Sequence, residues 1–476
     1  MRYQILSVFA ALTASAACGD LTSINDNPNG PTDVQPPSML SNAIQTVVDR
    51  VDGPNNNLDT RGGGLWVQYY AEIQYRDEDK YIVRPGVDGE WGMYSGPLED
   101  FQRMINKGVA AGVPNWEAVG RIMKSYVFSV MTDAMGDIPY SEAFQERALL
   151  TPKYDTQQAI YTALFADLAK ASQQIDPAGI GFSSGDIMYG GDMTTWQKFA
   201  NSLRLRLAMH LTNVAPATAQ SEALAAVTAG VFASNDESAQ LMYLASAPNQ
   251  NPIYTNVHVD KRDDYGMSKT LVDSMRSWND PRLPIYAQPN DTGAYEGLPN
   301  GLNDGAGPEL KYISRFGTFW RETPAAPLAL LTYSEVLFLE AEAAERGWIT
   351  GNAAQLYADA IRASMEQYGI ATTAIDAYLA QPRVVYAGGA AGLTQIAYQK
   401  WVSLFMQGME GWTEVRRTGV PALVPGPNAK LTKIPERLPY SDNEAVLNKA
   451  NLDAAVAAQH FSSSTDLTTP LWFTGR

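Results

Sequence analysis

The sequence predicts an all-α protein, a tetratricopeptide-like solenoid of helix pairs with long irregular loop regions left over to carry a ligand surface. Three observations predict it. Several apolar-periodic segments open on a polar residue suited to cap a helix. Helical stretches follow one another in pairs at separations of roughly thirty to forty residues, the scale of helix-pair repeats. Two regions, 233–265 and 279–331, are dense in Pro, Gly, Asn and aromatic residues and show no helical period. No segment matches the full consensus of the tetratricopeptide repeat, so the prediction rests on helix length and pairing.

In chain order, helices are expected over 38–51 and 91–111. Next, Trp116, Val119, Ile122, Met123, Tyr126, Val127, Val130 and Met131 recur every three or four residues, the apolar face of a helix that ends before Gly136. After Pro152, Asp155 is a candidate N-cap with Gln158 three residues on; Thr194 with Gln197 and Thr332 with Glu335 repeat that signature. Further helical stretches fall at 218–232, 266–278, 351–369, 395–408 and 442–458. Irregular segments as long as 233–265 and 279–331 are usually functional, so a ligand is expected there.

Composition narrows the function classes. The 476-residue chain has a formal charge of −16, which disfavours nucleic acid and anionic lipid as partners. With 10 Trp, 24 Tyr and 14 Phe, it has more aromatic surface than a plain helical scaffold needs. No later stretch reaches the ~18 uninterrupted apolar residues of a spanning helix. Length alone would allow two or three domains, but no linker-like segment follows residue 37, and a single body over 38–476 is expected.

The single cysteine, Cys18, lies in ALTASAACGDLT. Arg2 supplies a charged n-region, Ile5 to Ala17 an apolar h-region, and Ser15, Ala16 and Ala17 a small-residue cleavage site. Residues 1–17 resemble a bacterial lipoprotein signal that makes Cys18 the acylated first residue, although Ser15 stands where such signals carry an aliphatic. An ordinary secretory signal is the other reading, and both export the protein. Acyl chains would hold the domain on a membrane without a spanning helix. Residues 18–37, rich in Asn, Asp, Pro and Gly, are expected to form a flexible tether.

Catalytic signatures are missing from the sequence. The three histidines, His210, His258 and His460, have no metal-binding spacing, and there is no HExxH, no G-x-S-x-G elbow and no Walker loop. GGAAG at 388–392 is expected to be a loop. Glu335, Glu342 and Glu345 share a helix face, which Arg346 and the flanking Leu337 and Leu339 make a solvated or salt-bridged face rather than an acid–base pair. Asp263 and Asp264, beside Lys261 and Arg262, are ambiguous in the same way. LNDGAGPE at 302–309 places Asn303 and Asp304 beside glycines but lacks the alternating acids of an EF-hand loop, so a plain turn is expected. No catalytic residue, metal or cofactor is assigned.

Nine stretches together resemble the SusD/RagB family of outer-membrane nutrient-binding lipoproteins, in particular its SusD-like branch. They begin with CGDLTSINDNPNGP and run through MTDAMGDIPYSEAF, PKYDTQQAIYTALFADL, YGGDMTTWQKFANSLRLRLAMHL, RDDYGMSKTLVDSM, NDPRL, YSEVLFLEAEAAERGW and EGWTEVRRTGVPAL to IPERLPYSDNEAVLN. They cover the mature chain in family order. The resemblance implies a cell-surface, lipid-anchored binding protein without catalysis. Its partners would be an oligosaccharide or peptide ligand and a TonB-dependent (SusC-like) outer-membrane transporter that receives it. Within these motifs Asp133, Gly136, Asp137, Pro139 and Tyr140 end a helix and turn, with Gly136 permitting a left-handed stop and Pro139 stiffening the exit. Trp412, Arg416 and Arg417 are expected to be scaffold, and Arg204 and Arg206 paired or snorkelling guanidiniums.

Sugar recognition needs flat aromatic faces and polar groups that replace water at hydroxyls. The candidate ligand residues are therefore loop aromatics: Tyr75 and Tyr81 around the charged RDEDK run, and Tyr295, Tyr312, Phe319 and Trp320 in the 279–331 loop, Trp320 foremost. Two other functions remain open on sequence. A secreted or anchored glycoside hydrolase would need a carboxylate pair in the loops, and a purely structural solenoid would bind no small ligand.

Overall fold

Helices form where the apolar period and the caps coincide. The computed structural model describes residues 34–54, 57–84, 91–145, 148–182 and 184–476. Cys18, the signal segment and most of the expected tether lie outside the described residues; α1, Pro36–Val51, begins two residues inside the stretch read as tether. It buries Met39, Leu40, Ala43, Ile44, Val47 and Val48 along one face.

The solenoid follows as α2 (Glu99–Ala111), α3 (Pro114–Met135), α4 (Gln157–Gln174), α5 (Met193–His210) and α6 (Pro216–Ala229). Each packs on its neighbour in sequence. The link from α2 to α3 is so short that the two must run antiparallel. After a long irregular excursion, which includes α7 (Lys269–Ser277), the chain resumes with α8 (Tyr333–Glu345) and α9 (Ala353–Glu366). This pair continues the stack, because α8 also packs on α5. The rest of the chain adds α10 (Thr372–Leu379), α11 (Gly389–Ser403), α12 (Gly408–Thr418) and α13 (Lys449–Ala458). Residues 36–476 form one compact unit. Among the described residues no helix is long and apolar enough to cross a membrane.

Two of the expected caps shift. The N-cap of α4 is Thr156, whose hydroxyl accepts from Ala159 N–H; Asp155 instead accepts from the backbone N–H groups of Tyr140 and Ser141, tying the turn after α3 to the start of α4. The N-cap of α5 is Asp192, which accepts from Thr194 and Thr195. A carboxylate outcompetes Thr194 because it also gains from the helix dipole. Thr332 does cap α8, accepting from Glu335 N–H at 3.2 Å. GGAAG is the opening turn of α11 rather than a loop. The anion at that N-terminus is the protein's own Glu345, which accepts from Gly389 N–H at 2.6 Å.

Gly136 ends α3 at φ +89°. A Cβ there would sit 2.1 Å from Gln459 Oε1 and 3.0 Å from Leu471 Cδ2. Gly136→Ala combines strain with collision and is expected to cost at least ~1–3 kcal/mol; urea denaturation measures it.

The irregular regions hold two small antiparallel ladders. β1 (Tyr70–Glu72) pairs with β3 (Tyr265–Met267), and β2 (Ala239–Leu241) with β4 (Leu328–Leu331). These ladders fix the loops that the solenoid leaves on its flank.

Candidate functional site

Charge is most concentrated in the core, and there it is structural. Arg206 on α5 makes a two-pronged pair with the fully buried Glu335 of α8, at 2.7 and 2.5 Å, and donates to Leu330 O of β4 at 2.8 Å. Arg417 on α12 bridges Glu342 and Glu414, each at 2.7 Å. Lys400 lies 3.3 Å from Glu414 and 3.6 Å from Glu410. On the helix face predicted from sequence, Glu335 and Glu342 are therefore salt-bridged but buried, whereas Glu345 is half-buried and accepts from Tyr386 OH and Gly389 N–H. Arg204 pairs with Glu222, and Arg416 lies over the Trp412 ring at 3.5 Å, a scaffold position as expected.

His210 completes this network. Its Nδ1 lies 3.1 Å from Asp133 and its Nε2 3.0 Å from Glu410. Burial opposes the imidazolium, but the Glu410 charge and the hydrogen bonds to Asp133 and Glu410 outweigh it and raise the pKa from 6.5 to about 9. Because the folded pKa is the higher one, this stabilisation is complete below pH 6.5 and is lost as pH rises toward 9. The urea midpoint is expected to fall across that window, with the slope largely gone in His210→Gln. His210, Glu410 and Glu414 could bring ligand atoms within 4.8 Å of one another. A divalent ion there would meet Arg206, Lys400 and Arg417, which already neutralise these carboxylates.

The surface offers a different arrangement. The β1–β3 ladder sets residues 73–75 beside 263–265: Ile73 N–H donates to Asp264 O at 2.8 Å, and Gln74 Nε2 to Asp264 Oδ1 at 2.8 Å. Beyond the ladder the chain turns sharply, and Tyr75 takes φ +57°. Left-handed backbone in a bulky residue persists only where its surroundings enforce it. Here Asp77 N–H and Arg84 Nη2 both donate to Tyr75 O, at 2.8 and 2.9 Å. The side chain is 61% exposed.

Tyr75 lies on a cleft of ≈ 360 Å³ whose lining is almost wholly polar. Arg61, Arg84 and Arg262 face Glu72, Glu78, Asp260 and Asp264, with Thr60, Gln74, Asn256 and Tyr265 between. Most of these charges cancel in place: Arg84 pairs with Glu78 at 2.5 Å and Arg262 with Asp264 at 2.7 Å. Burial pushes the carboxyls of Glu72 and Asp79 up, and the Asp79 charge raises Glu72 further. Both effects favour the neutral form of Glu72. The cleft presents both donors and acceptors, nearly balanced charge and one exposed ring. The nearby 302–309 segment is a turn, as expected, and its Asn303 and Ala306 carbonyls accept from Arg76 at 2.8 Å.

The other candidate aromatics are dispersed. Tyr81 is 5% exposed, edge-on to Trp66; Trp66 packs in turn on Trp412, so Tyr81 belongs to the scaffold. Trp320 is 2% exposed, within 5.8 Å of the rings of Phe319, Tyr368, Phe405 and Tyr286. Its faces are closed to a stacked sugar, although with the half-buried Phe319 it lines a second hollow, apart from the cleft. Tyr312 is exposed with Lys311 over its ring, Tyr295 is half-buried, and neither lines the cleft or the hollow. Sequence reasoning missed Gln74, Arg84, Asn256 and Asp260. Arg84 and Gln74 flank the RDEDK run that drew attention to Tyr75; Asn256 and Asp260 lie in the irregular 233–265 region where a ligand is expected, but they are not aromatic.

A family model described as starch-binding and associating with the outer membrane, of SusD-like type, matches residues 28–441. The chain belongs to the SusD-like family. Among solved structures it is similar to a chitin-binding protein, at 29% identity and a TM-score of 0.81 over 93% of this chain and 100% of that one. A chitin-binding SusD homolog from Flavobacterium johnsoniae gives 27% and 0.79, over 92% of this chain and 97% of that one. A SusD homolog from Bacteroides fragilis gives 26% and 0.80, over 93% and 100%. No curated protein matches the chain. Family membership bears out the all-helical paired-helix architecture.

Proposed function

We propose that the protein is a cell-surface glycan-binding protein, anchored in the outer membrane through lipid on Cys18, that passes intact oligosaccharide to a TonB-dependent transporter. The observation that carries this reading is Tyr75, an exposed ring held in left-handed backbone on a cleft of matched donors and acceptors. An aromatic face against sugar C–H groups and side chains that replace water at hydroxyls are what a neutral oligosaccharide requires. The near-cancellation of charge in the cleft favours neutral glycans over polyanionic ones. The chitin-binding relatives make β-linked amino-sugar oligomers, in their neutral N-acetylated form, the first ligands to try.

Binding fits the cleft better than hydrolysis. A glycosidase needs two carboxyl groups free to act on the bond. Here Asp264 is held by Gln74 and Arg262, Glu78 by Arg84, and Glu72 accepts from Asp79 N–H. Calorimetric titration with neutral oligosaccharides, followed by product analysis of each mixture, tests the proposal. Saturable binding with intact ligand is expected; cleaved ligand would overturn it.

A further inference from the structure

One turn supplies Asp260, Arg262 and Asp264 to the Tyr75 cleft, and Asn256 joins them from the preceding segment. The backbone of that turn is strained: Lys261 takes φ +56° and Asp263 φ +115°. Asp263 itself lies outside the lining. Glycine adopts such angles freely, whereas a residue with a side chain persists there only where its surroundings enforce it.

Two arginines enforce it from behind the cleft. Arg315 Nε donates to Asp263 Oδ2 at 3.0 Å, and Arg321 donates through Nη1 to Oδ1 at 2.6 Å and through Nη2 to Oδ2 at 3.1 Å. Their side chains are only 14% and 16% exposed, and the two-pronged geometry fixes direction as well as distance. Both arginines project from anchored backbone. Arg315 O accepts from Gln288 N–H and the adjacent Ser314 O from Met267 N–H, each at 2.9 Å. Arg321 N–H donates to Gly317 O at 3.0 Å, directly after the enclosed Trp320.

The clamp reaches the lining through short links. Asp263 N–H donates to Asn256 Oδ1 at 3.3 Å, Arg262 N–H to Asn256 O at 2.9 Å, and Asn256 Nδ2 to Asp264 Oδ2 at 3.4 Å. Asp260 has no side-chain hydrogen bond or ion pair among the described residues, so the turn alone places it. We infer that Asp263 is a positioning residue of this cleft: clamped by Arg315 and Arg321, it sets Asn256, Asp260 and Asp264 in place before a sugar arrives. The inference rests on the reading of the cleft as a glycan site. The 279–331 region then serves the ligand from behind, as the brace of one wall.

Asp263→Asn keeps the shape and removes the charge, and Arg321→Gln weakens the clamp from its other side. The full chain and both variants are titrated calorimetrically with fully N-acetylated glucosamine tetramer and with maltotetraose. Each variant is expected to bind about tenfold more weakly, the scale of having to order two side chains on binding, with the helical circular dichroism unchanged. In an Asn256→Ala background Asp263→Asn should cost clearly less, because part of what it positions is already gone; an equal loss in both backgrounds would contradict positioning. In the free protein, amide exchange at 260–264 should quicken in both variants while the helices keep their protection, and unchanged exchange would overturn the clamp. Natural chain that binds neither sugar would remove the glycan reading and this inference together. Natural chain and variants that bind equally well would overturn the inference alone.

Discussion

Arg206→Met is expected to destabilise the protein by about 3–5 kcal/mol, the usual cost of leaving a buried charge without its partner. Glu335 is wholly buried and its carboxylate accepts from Arg206 through both oxygens. With Arg206 gone, Glu335 keeps only Lys400 as a nearby cation, 3.9 Å away, while Glu410 retains His210 at 3.0 Å and Lys400 at 3.6 Å. The loss also removes the hydrogen bond to Leu330 O, which ties α5 to β4. Such a change is a large fraction of the ~5–15 kcal/mol that a folded domain commands. The double variant Arg206→Met/Glu335→Leu removes one charge of each sign and should recover most of the loss. Urea denaturation of the three proteins separates a charge-balance effect from simple loss of packing; a double variant no more stable than the single one would contradict the charge-balance explanation.

Tyr75→Ala is expected to weaken oligosaccharide binding by at least tenfold, about 1.4 kcal/mol, with almost no change in stability. The ring is mostly in solvent, and the backbone bonds that hold the turn come from Asp77 and Arg84, which the substitution leaves in place. Tyr75→Gly sharpens the distinction. Glycine adopts φ near +57° without penalty, so this variant should gain up to ~1–2 kcal/mol of stability while losing binding as fully as the alanine variant. A gain in stability with loss of binding is what a position strained for function predicts. Retained binding in both variants would remove Tyr75 from the site.

The scaffold was legible because its signals are local. Thr332 caps α8 through Glu335 N–H, as the spacing of the two residues predicted. What the Glu335 side chain does was not legible, since its partner Arg206 is 129 residues away in sequence. The same limit moved a cap from Asp155 to Thr156: both residues can cap, and only the turn at Tyr140 and Ser141 decides which is free. GGAAG reads as a loop because no strand precedes it and no helix-opening Lys-Ser/Thr follows, yet Glu345 meets the Gly389 N–H at the start of α11.

The site divides along the same line. Aromatic content and the RDEDK run pointed to Tyr75, whereas Trp320 ranked first as an aromatic in the irregular 279–331 region with Arg321 beside it. Residue type does not distinguish a ring enclosed by four others from one in solvent. The cleft itself arises from pairing Gln74 with Asp264 across 190 residues, and no window of the sequence contains both sides. Cys18, by contrast, stands out in the sequence as its single cysteine.

The most direct measurement is a crystal structure of the protein with a neutral oligosaccharide bound. A sugar ring lying against the Tyr75 face, with its hydroxyls meeting Arg61, Gln74, Asn256 and Asp260 and its glycosidic bonds intact, is the predicted result. Oligosaccharide bound elsewhere with the cleft empty, or hydrolysed product within it, would contradict the binding function proposed for this surface.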